Sequence, residues 1–293
     1  MPAPFAQSTP SRRQDVFLAA GLLVLTSIVF WPAVRWLTSQ TFAHEQLKQS
    51  FFIVVLAGGW IAWEKRAALR FGFQFSNGAL GWLFCSYALA AGAVFFEQPL
   101  LILAGLVAAV GGIVNFIFGD RVFRRTLPLL GVFALLILCV LLFPILDWPL
   151  RQMAGVEAAR FLKLLGLASQ LAVNAGPPVK LALIANGQTF IVATECNGFG
   201  LITSSLLLGT ILLLYKRATW WRFPLLLPLC LVVAFVFNFL RISAIVLLAP
   251  YFPSHYTALH ETAGLIALYS GLGLVWLFTN RERKSVPTAT SSK

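Results

Sequence analysis

The chain has 293 residues, of which 59% are hydrophobic and 11% charged, with a net charge of +12 and a mean hydropathy of +0.84. Soluble domains average roughly 25% charged residues, so the polar surface that a water-soluble fold of this length needs is missing. The positive charge is no nucleic-acid footprint either. Lys and Arg sit in short clusters between apolar runs, the pattern of a multi-pass membrane protein obeying the positive-inside rule, and no nucleic-acid-binding motif accompanies them.

In chain order, apolar runs at about 16–37, 48–63, 77–96, 99–118, 126–146, 197–215, 223–249 and 262–280 predict about eight transmembrane helices. Most are long enough for a hydrocarbon core of roughly 30 Å; the second is short and carries Gly58 and Gly59. The first, preceded by Arg12 and Arg13 and followed by no small-residue cleavage site, reads as an uncleaved helix and not a signal peptide. Basic clusters then fall between alternate spans: Lys65, Arg66 and Arg70; Arg121, Arg124 and Arg125; Lys216, Arg217 and Arg222; Arg281, Arg283 and Lys284. This alternation predicts a multi-pass protein of the cytoplasmic (inner) membrane with both termini in the cytoplasm.

On the opposite, extracytoplasmic side only the segment 147–196 is long. From about 150 to 173 its apolar positions Met153, Phe161, Leu164, Leu165 and Leu167, interspersed with Arg151, Arg160 and Lys163, predict an amphipathic helix in the membrane interface. Beyond Gly176-Pro177-Pro178, residues 179–194 surround Asn186-Gly187 with β-branched and apolar residues, a hairpin signal. The hairpin leads directly to Cys196, and its position suggests that it grips an extended partner by strand addition. The expected fold is therefore an all-α polytopic membrane domain over 1–293 with one small β-hairpin before the sixth span. The Ser/Thr-rich tail, 285–293, reads as disordered.

Three chemically capable side chains fall at one membrane face on different spans. Cys196 lies in Glu195-Cys196-Asn197-Gly198 at the start of the sixth, Arg241 in Asn238-Phe239-Leu240-Arg241 within the seventh, and His260 in His260-Glu261-Thr262-Ala263-Gly264 at the start of the eighth. Cys85, Cys139 and Cys230 are mid-span among apolar neighbours and read as small apolar residues. Cys196 differs: it stands at a helix start, where the helix dipole favours a thiolate, although Glu195 opposes that. An arginine within a span costs about 2.5 kcal/mol or more even on lenient insertion scales; such a residue faces a protein interior or cavity, or else snorkels to the headgroups. Asn238 shares its helix face. His260 is preferred to His255 because Glu261 follows it and Gly264, one turn on, leaves room beside it.

Together these groups supply the parts of thiol acyl transfer. Cysteine attacks an amide carbonyl, and histidine relays the proton to the leaving amine. Arginine donates to the developing oxyanion, binds a substrate carboxylate, or pairs with the thiolate. No metal or other cofactor motif is evident, since the three histidines are scattered and carboxylates are few.

Cys-x-Gly opening one span, Asn-x-x-Arg in the next and His at the start of the following one resemble the exosortase/archaeosortase family, most specifically over about 190–270. The resemblance implies a membrane cysteine protease/transpeptidase with Cys196 as nucleophile, Arg241 as oxyanion or substrate stabiliser and His260 as general acid/base. Asn238, Glu195, Asn197, Gly198 and Glu261 are the supporting residues. It implies as partners exported proteins bearing a C-terminal signal of a short motif such as Pro-Glu-Pro, a transmembrane helix and a basic cluster, cleaved outside the cytoplasmic membrane and passed to an acceptor amine, lipid or glycan. Asn197 stands where the family commonly has Ser or Thr, which bears on the subfamily and its motif. The rival readings are a transporter or channel with Arg241 and Asn238 in its path, and a non-catalytic subunit of a polysaccharide-export complex.

Overall fold

The computed structural model describes residues 12–64, 66, 72–174, 180–192, 194–216 and 218–280. The elements are α1 (Arg12–Ala43), α2 (Glu45–Glu64), α3 (Asn77–Phe95), α4 (Pro99–Leu164), β1 (Ser169–Asn174), β2 (Lys180–Ala185), β3 (Gln188–Ile191), α5 (Phe199–Tyr215), α6 (Arg222–Leu248) and α7 (Tyr256–Asn280). Short 3-10 turns at Thr194–Cys196, Ala249–Tyr251 and Pro253–His255 join the later ones.

Every apolar run of the sequence is helical, but eight separate spans do not emerge. Five stretches among the described residues are long and apolar enough to cross a membrane: Val16–Ala43, Asn77–Phe95, Pro99–Leu164, Arg222–Tyr251 and Tyr256–Asn280. The difference lies in three places. The two runs expected at 99–118 and 126–146 belong to the one element α4, kinked where Gly119 adopts φ +77°, a conformation open to glycine at little cost. Helix α5 has 17 residues, about 26 Å of rise. And α2, the short second run, is not among the five.

A second correction concerns the segment 147–196. The expected amphipathic helix over 150–173 is the C-terminal part of α4 and stops at Leu164; Gly166 turns the chain with φ +79°, and Ser169–Asn174 becomes a strand. Its buried stripe also differs from the large residues that the sequence pattern emphasises. Ala154, Ala158 and Leu162 are buried, whereas Met153 and Leu164 are exposed. Alanines at i, i+4 spacing let the sheet approach the helix closely, and large side chains there would hold it away. The expected tail at 285–293, and the basic residues Lys65, Arg70, Arg281, Arg283 and Lys284, lie outside the described residues.

The chain divides into two compact units. The first takes in the described residues of Met1–Gln40 and Gly58–Ile137. Its core includes Phe116 with Ala19 and Ala79, and Phe75 meets Phe116 edge-on with centroids 4.9 Å apart. Ser76 caps α3 by accepting the Ala79 N–H at 3.1 Å, satisfying one of the orphan donors of a helix start. Thr26 and Tyr87 share a hydroxyl–hydroxyl bond of 2.7 Å between α1 and α3.

The second unit, Thr41–Ala57 with the described residues of Leu138–Lys293, carries the three-stranded antiparallel sheet in the order β1-β2-β3. The expected hairpin is present: Asn186 (φ +48°) and Gly187 (φ +78°) form the two-residue turn with both central residues at positive φ that suits strand twist. The sequence pattern missed the third strand, β1, which pairs along β2 from Ser169↔Ala185 to Asn174↔Lys180. One core joins sheet and helices: Leu181 and Leu183 from β2, Ala158 and Leu162 from α4, Ile242 and Val246 from α6, and Cys196 itself. The nucleophile candidate is thus held in this core.

Candidate active site

Cys196 ends the 3-10 turn that leaves the sheet and precedes α5. Two tethers fix that turn. The Gln46 amide of α2 donates to the Thr194 carbonyl at 2.6 Å, and the Asn238 amide of α6 donates to the Cys196 carbonyl at 2.8 Å. Gly198 caps α5 with φ +76°, and a β-carbon there would stand 3.2 Å from the Asn238 side chain. Cys-x-Gly and Asn-x-x-Arg, separate motifs in the sequence, are therefore one packed unit. Glycine suits the position twice over, for its backbone conformation and because a β-carbon would crowd Asn238.

The three candidate groups meet. Cys196 Sγ lies 3.3 Å from His260 Nε2, and Arg241 Nη2 lies 3.3 Å from the same nitrogen. A guanidinium only donates, so this contact places the lone pair of the imidazole on Nε2, the atom facing the thiol. That is the tautomer that accepts a thiol proton. Gly264 supplies the room: a β-carbon on it would stand 3.1 Å from Arg241 Nη2. His255, exposed and bonded to Ser254, is not part of the set. Cys139 and Cys230 are buried and Cys85 is exposed, and none of the four cysteines forms a disulfide.

The supporting residues sort unequally. Asn238 is 3% exposed and bonds as described. Asn197, one residue before that cap, accepts the Phe199 N–H at 2.8 Å and donates to Asp147 Oδ1 at 2.7 Å. Asp147 in turn pairs with Arg151 one turn along α4, whose guanidinium lies 5.4 Å from the Trp148 ring centre. Glu261 is exposed and bonds to no member of the set among the described residues. The Glu195 side chain lies outside what is described.

Three participants escaped the sequence pattern. Asp147, a lone acid ending a long apolar run, is a visible signal in retrospect. Gln46 carries none. Tyr256 sits four residues before His260, hence on the same helix face, with ring centres 6.4 Å apart. An open groove passes Tyr256 and the thiol–imidazole pair. Cys196, His260 and Tyr256 line it together with Ile191 and Val192 at the end of β3 and Ile242 and Ile245 of α6. The arrangement presents a thiol, an adjacent acceptor nitrogen and a fixed cation at the side of an apolar groove.

Residues 36–277 match the family described as transmembrane exosortase. No curated protein matches the chain, and no solved structure does.

Proposed function

The chain belongs to the transmembrane exosortase family, a family of sorting-related membrane cysteine transpeptidases, and from that premise we propose that it cleaves the C-terminal sorting signals of exported proteins through a thioester on Cys196. The observation that carries this reading is the shared nitrogen: Sγ of Cys196 and Nη2 of Arg241 each 3.3 Å from His260 Nε2.

In the proposed reaction the Cys196 S–H proton passes to His260 Nε2 as sulfur attacks the scissile carbonyl carbon. As that proton leaves for the ring, Arg241 turns its N–H groups from Nε2 to the developing oxyanion. A donor to the oxyanion is worth up to about 10²–10³ in rate. The tetrahedral intermediate collapses with rupture of the C–N bond, and the imidazolium gives its proton to the leaving amine. An acceptor amine, or a lipid or glycan hydroxyl, then attacks the thioester. His260 takes the acceptor's proton and returns it to the departing sulfur. The substrate carries a short motif such as Pro-Glu-Pro, an apolar helix and a basic cluster. The helix lies in the bilayer beside the spans, the basic cluster sets its depth from the cytoplasmic side, and the motif meets Cys196 at the extracytoplasmic face.

The test is to trap the thioester. The full chain is co-expressed in membranes with an exported reporter domain that ends in Pro-Glu-Pro, an apolar helix and a basic cluster. A hydroxylamine-labile adduct mapped to Cys196 by mass spectrometry, absent from Cys196→Ala, supports the reading. Signal cleavage that persists in Cys196→Ala would sink it.

A further inference from the structure

We propose that the free edge of β3 is the substrate's docking site: an extended stretch of the exported chain pairs with it as a fourth strand and lays an apolar side chain in the groove beside Cys196. This deepens the reading above and rests on it.

Among the described residues the sheet order leaves β3 at an edge, and the ladder shows which of its groups no described strand uses. In an antiparallel pair, hydrogen-bonded and non-bonded positions alternate. The Val192 N–H bonds the Leu181 carbonyl at 2.8 Å. In the same register Phe190, opposite Leu183, and Gln188, opposite Ala185, also point at β2. Thr189 and Ile191 therefore turn their N–H and C=O groups away from the sheet. Natural edges of this kind are blunted with charged residues, prolines or bulges; β3 reads Gln-Thr-Phe-Ile and carries no charge and no proline.

The open edge borders the groove. Ile191, 54% exposed, is one of its lining residues, with Ile242, Ile245 and Val246 of α6 also lining it and Cys196 in the same wall. A strand advances about 3.3 Å per residue and alternates its side chains. A peptide held by the Ile191 backbone thus sends one side chain into the groove and the next out of it, and carries the following peptide bond towards the thiol. The groove's lining has no Lys, Arg, Asp or Glu among the described residues, so the inserted side chain is apolar. Main-chain pairing supplies the grip and the groove supplies the selection, which is the division of labour of strand addition.

The experiment uses the full chain in membranes with the same reporter. Ile191→Pro deletes the outward N–H and leaves the β2–β3 ladder bonds intact, since proline is tolerated where an edge N–H faces away from the sheet. Cleavage is expected to fall about tenfold, the value of roughly one lost hydrogen bond, and Ile191→Ala, which keeps the N–H, to be milder. Cleavage by Ile191→Pro at the wild-type rate would overturn the proposal, as would equal losses in both variants. Independently of how Ile191→Pro folds, Ile191→Cys in the Cys196→Ala chain is cross-linked to single cysteines placed along the reporter motif. Cross-links at every second motif position support docking. Uniform cross-links, none, or a disulfide between two copies of the chain overturn it. Cys196-dependent cleavage without the alternating cross-links removes the docking site alone. Alternating cross-links without any thioester leave the docking site standing and remove the reaction.

Discussion

Arg241 reaches His260 across two adjacent helices, Nη2 to Nε2 at 3.3 Å, and so touches the same nitrogen that faces the Cys196 thiol. One atom thus links the proposed base to both the nucleophile and the cation. In the proposed cycle the guanidinium holds the imidazole tautomer at rest and stabilises the oxyanion once the nitrogen is protonated. Arg241→Ala is expected to slow reporter cleavage about 10²–10³-fold, in line with the loss of one oxyanion donor. Arg241→Lys is expected to recover little, because an ammonium lacks the planar fork that serves both contacts. Initial rates in membranes adjusted to equal enzyme content check this, and wild-type rates in Arg241→Lys would argue for a simple point-charge role.

His260→Ala should lower the rate about 10²–10⁴-fold, the usual contribution of a positioned acid–base group. His255→Ala should leave it unchanged, since among the described residues that ring bonds only to Ser254, at 2.9 Å. The paired measurement separates a base from a general need for histidine at this face.

Gly264→Ala offers opposing signs. Alanine favours a helix interior over glycine by roughly 0.5–1 kcal/mol, so thermal stability in detergent should hold or rise. The new β-carbon would stand 3.1–3.4 Å from the guanidinium atoms of Arg241, which must shift by a few tenths of an ångström. Since a misplacement of about 1 Å costs on the order of 100-fold, cleavage should fall several-fold. A parallel loss of stability and rate would point to misfolding and not to a displaced guanidinium.

Asn197 joins the start of α5 to α4 through Asp147. Asn197→Ala loses both bonds, each worth about 0.5–1.5 kcal/mol. Asn197→Ser retains an oxygen that can accept the Phe199 N–H and loses only the reach to Asp147, so it should destabilise less. Asp147→Ala strands the Asn197 amide and leaves Arg151 without its carboxylate; an unsatisfied buried group costs about 1–3 kcal/mol. Thermal unfolding of the two alanine variants and their double mutant should show clear non-additivity. Additive losses would mean that the bond does not couple the two helices.

The hairpin tip tests the sidedness of the site. Asn186 is exposed, so Asn186→Cys should react with a membrane-impermeant maleimide in intact cells. Labelling only after permeabilisation would place the site on the cytoplasmic side and reverse the proposed topology.

The membrane class of this protein was legible in its composition, because an apolar solvent demands long apolar helices whatever they pack against. Cys196, Arg241 and His260 were legible as candidates too, since a charged or nucleophilic residue within or at the start of an apolar run stands out from its neighbours. Asn186-Gly187 announced its turn through local backbone preference alone. What the pattern could not supply was pairing at a distance. Strand β1 is specified by its partner β2, not by its own residues, and so read as more helix. The face that α4 turns to the sheet is built largely on Ala154 and Ala158, and alanine is a residue that hydrophobic patterning underrates and close packing prefers. The meeting of Sγ and Nη2 at one nitrogen, the clamp of Asn238 over Gly198, and the open edge of β3 beside the groove were decided only by the tertiary fold, because each depends on distances between elements that lie far apart along the chain.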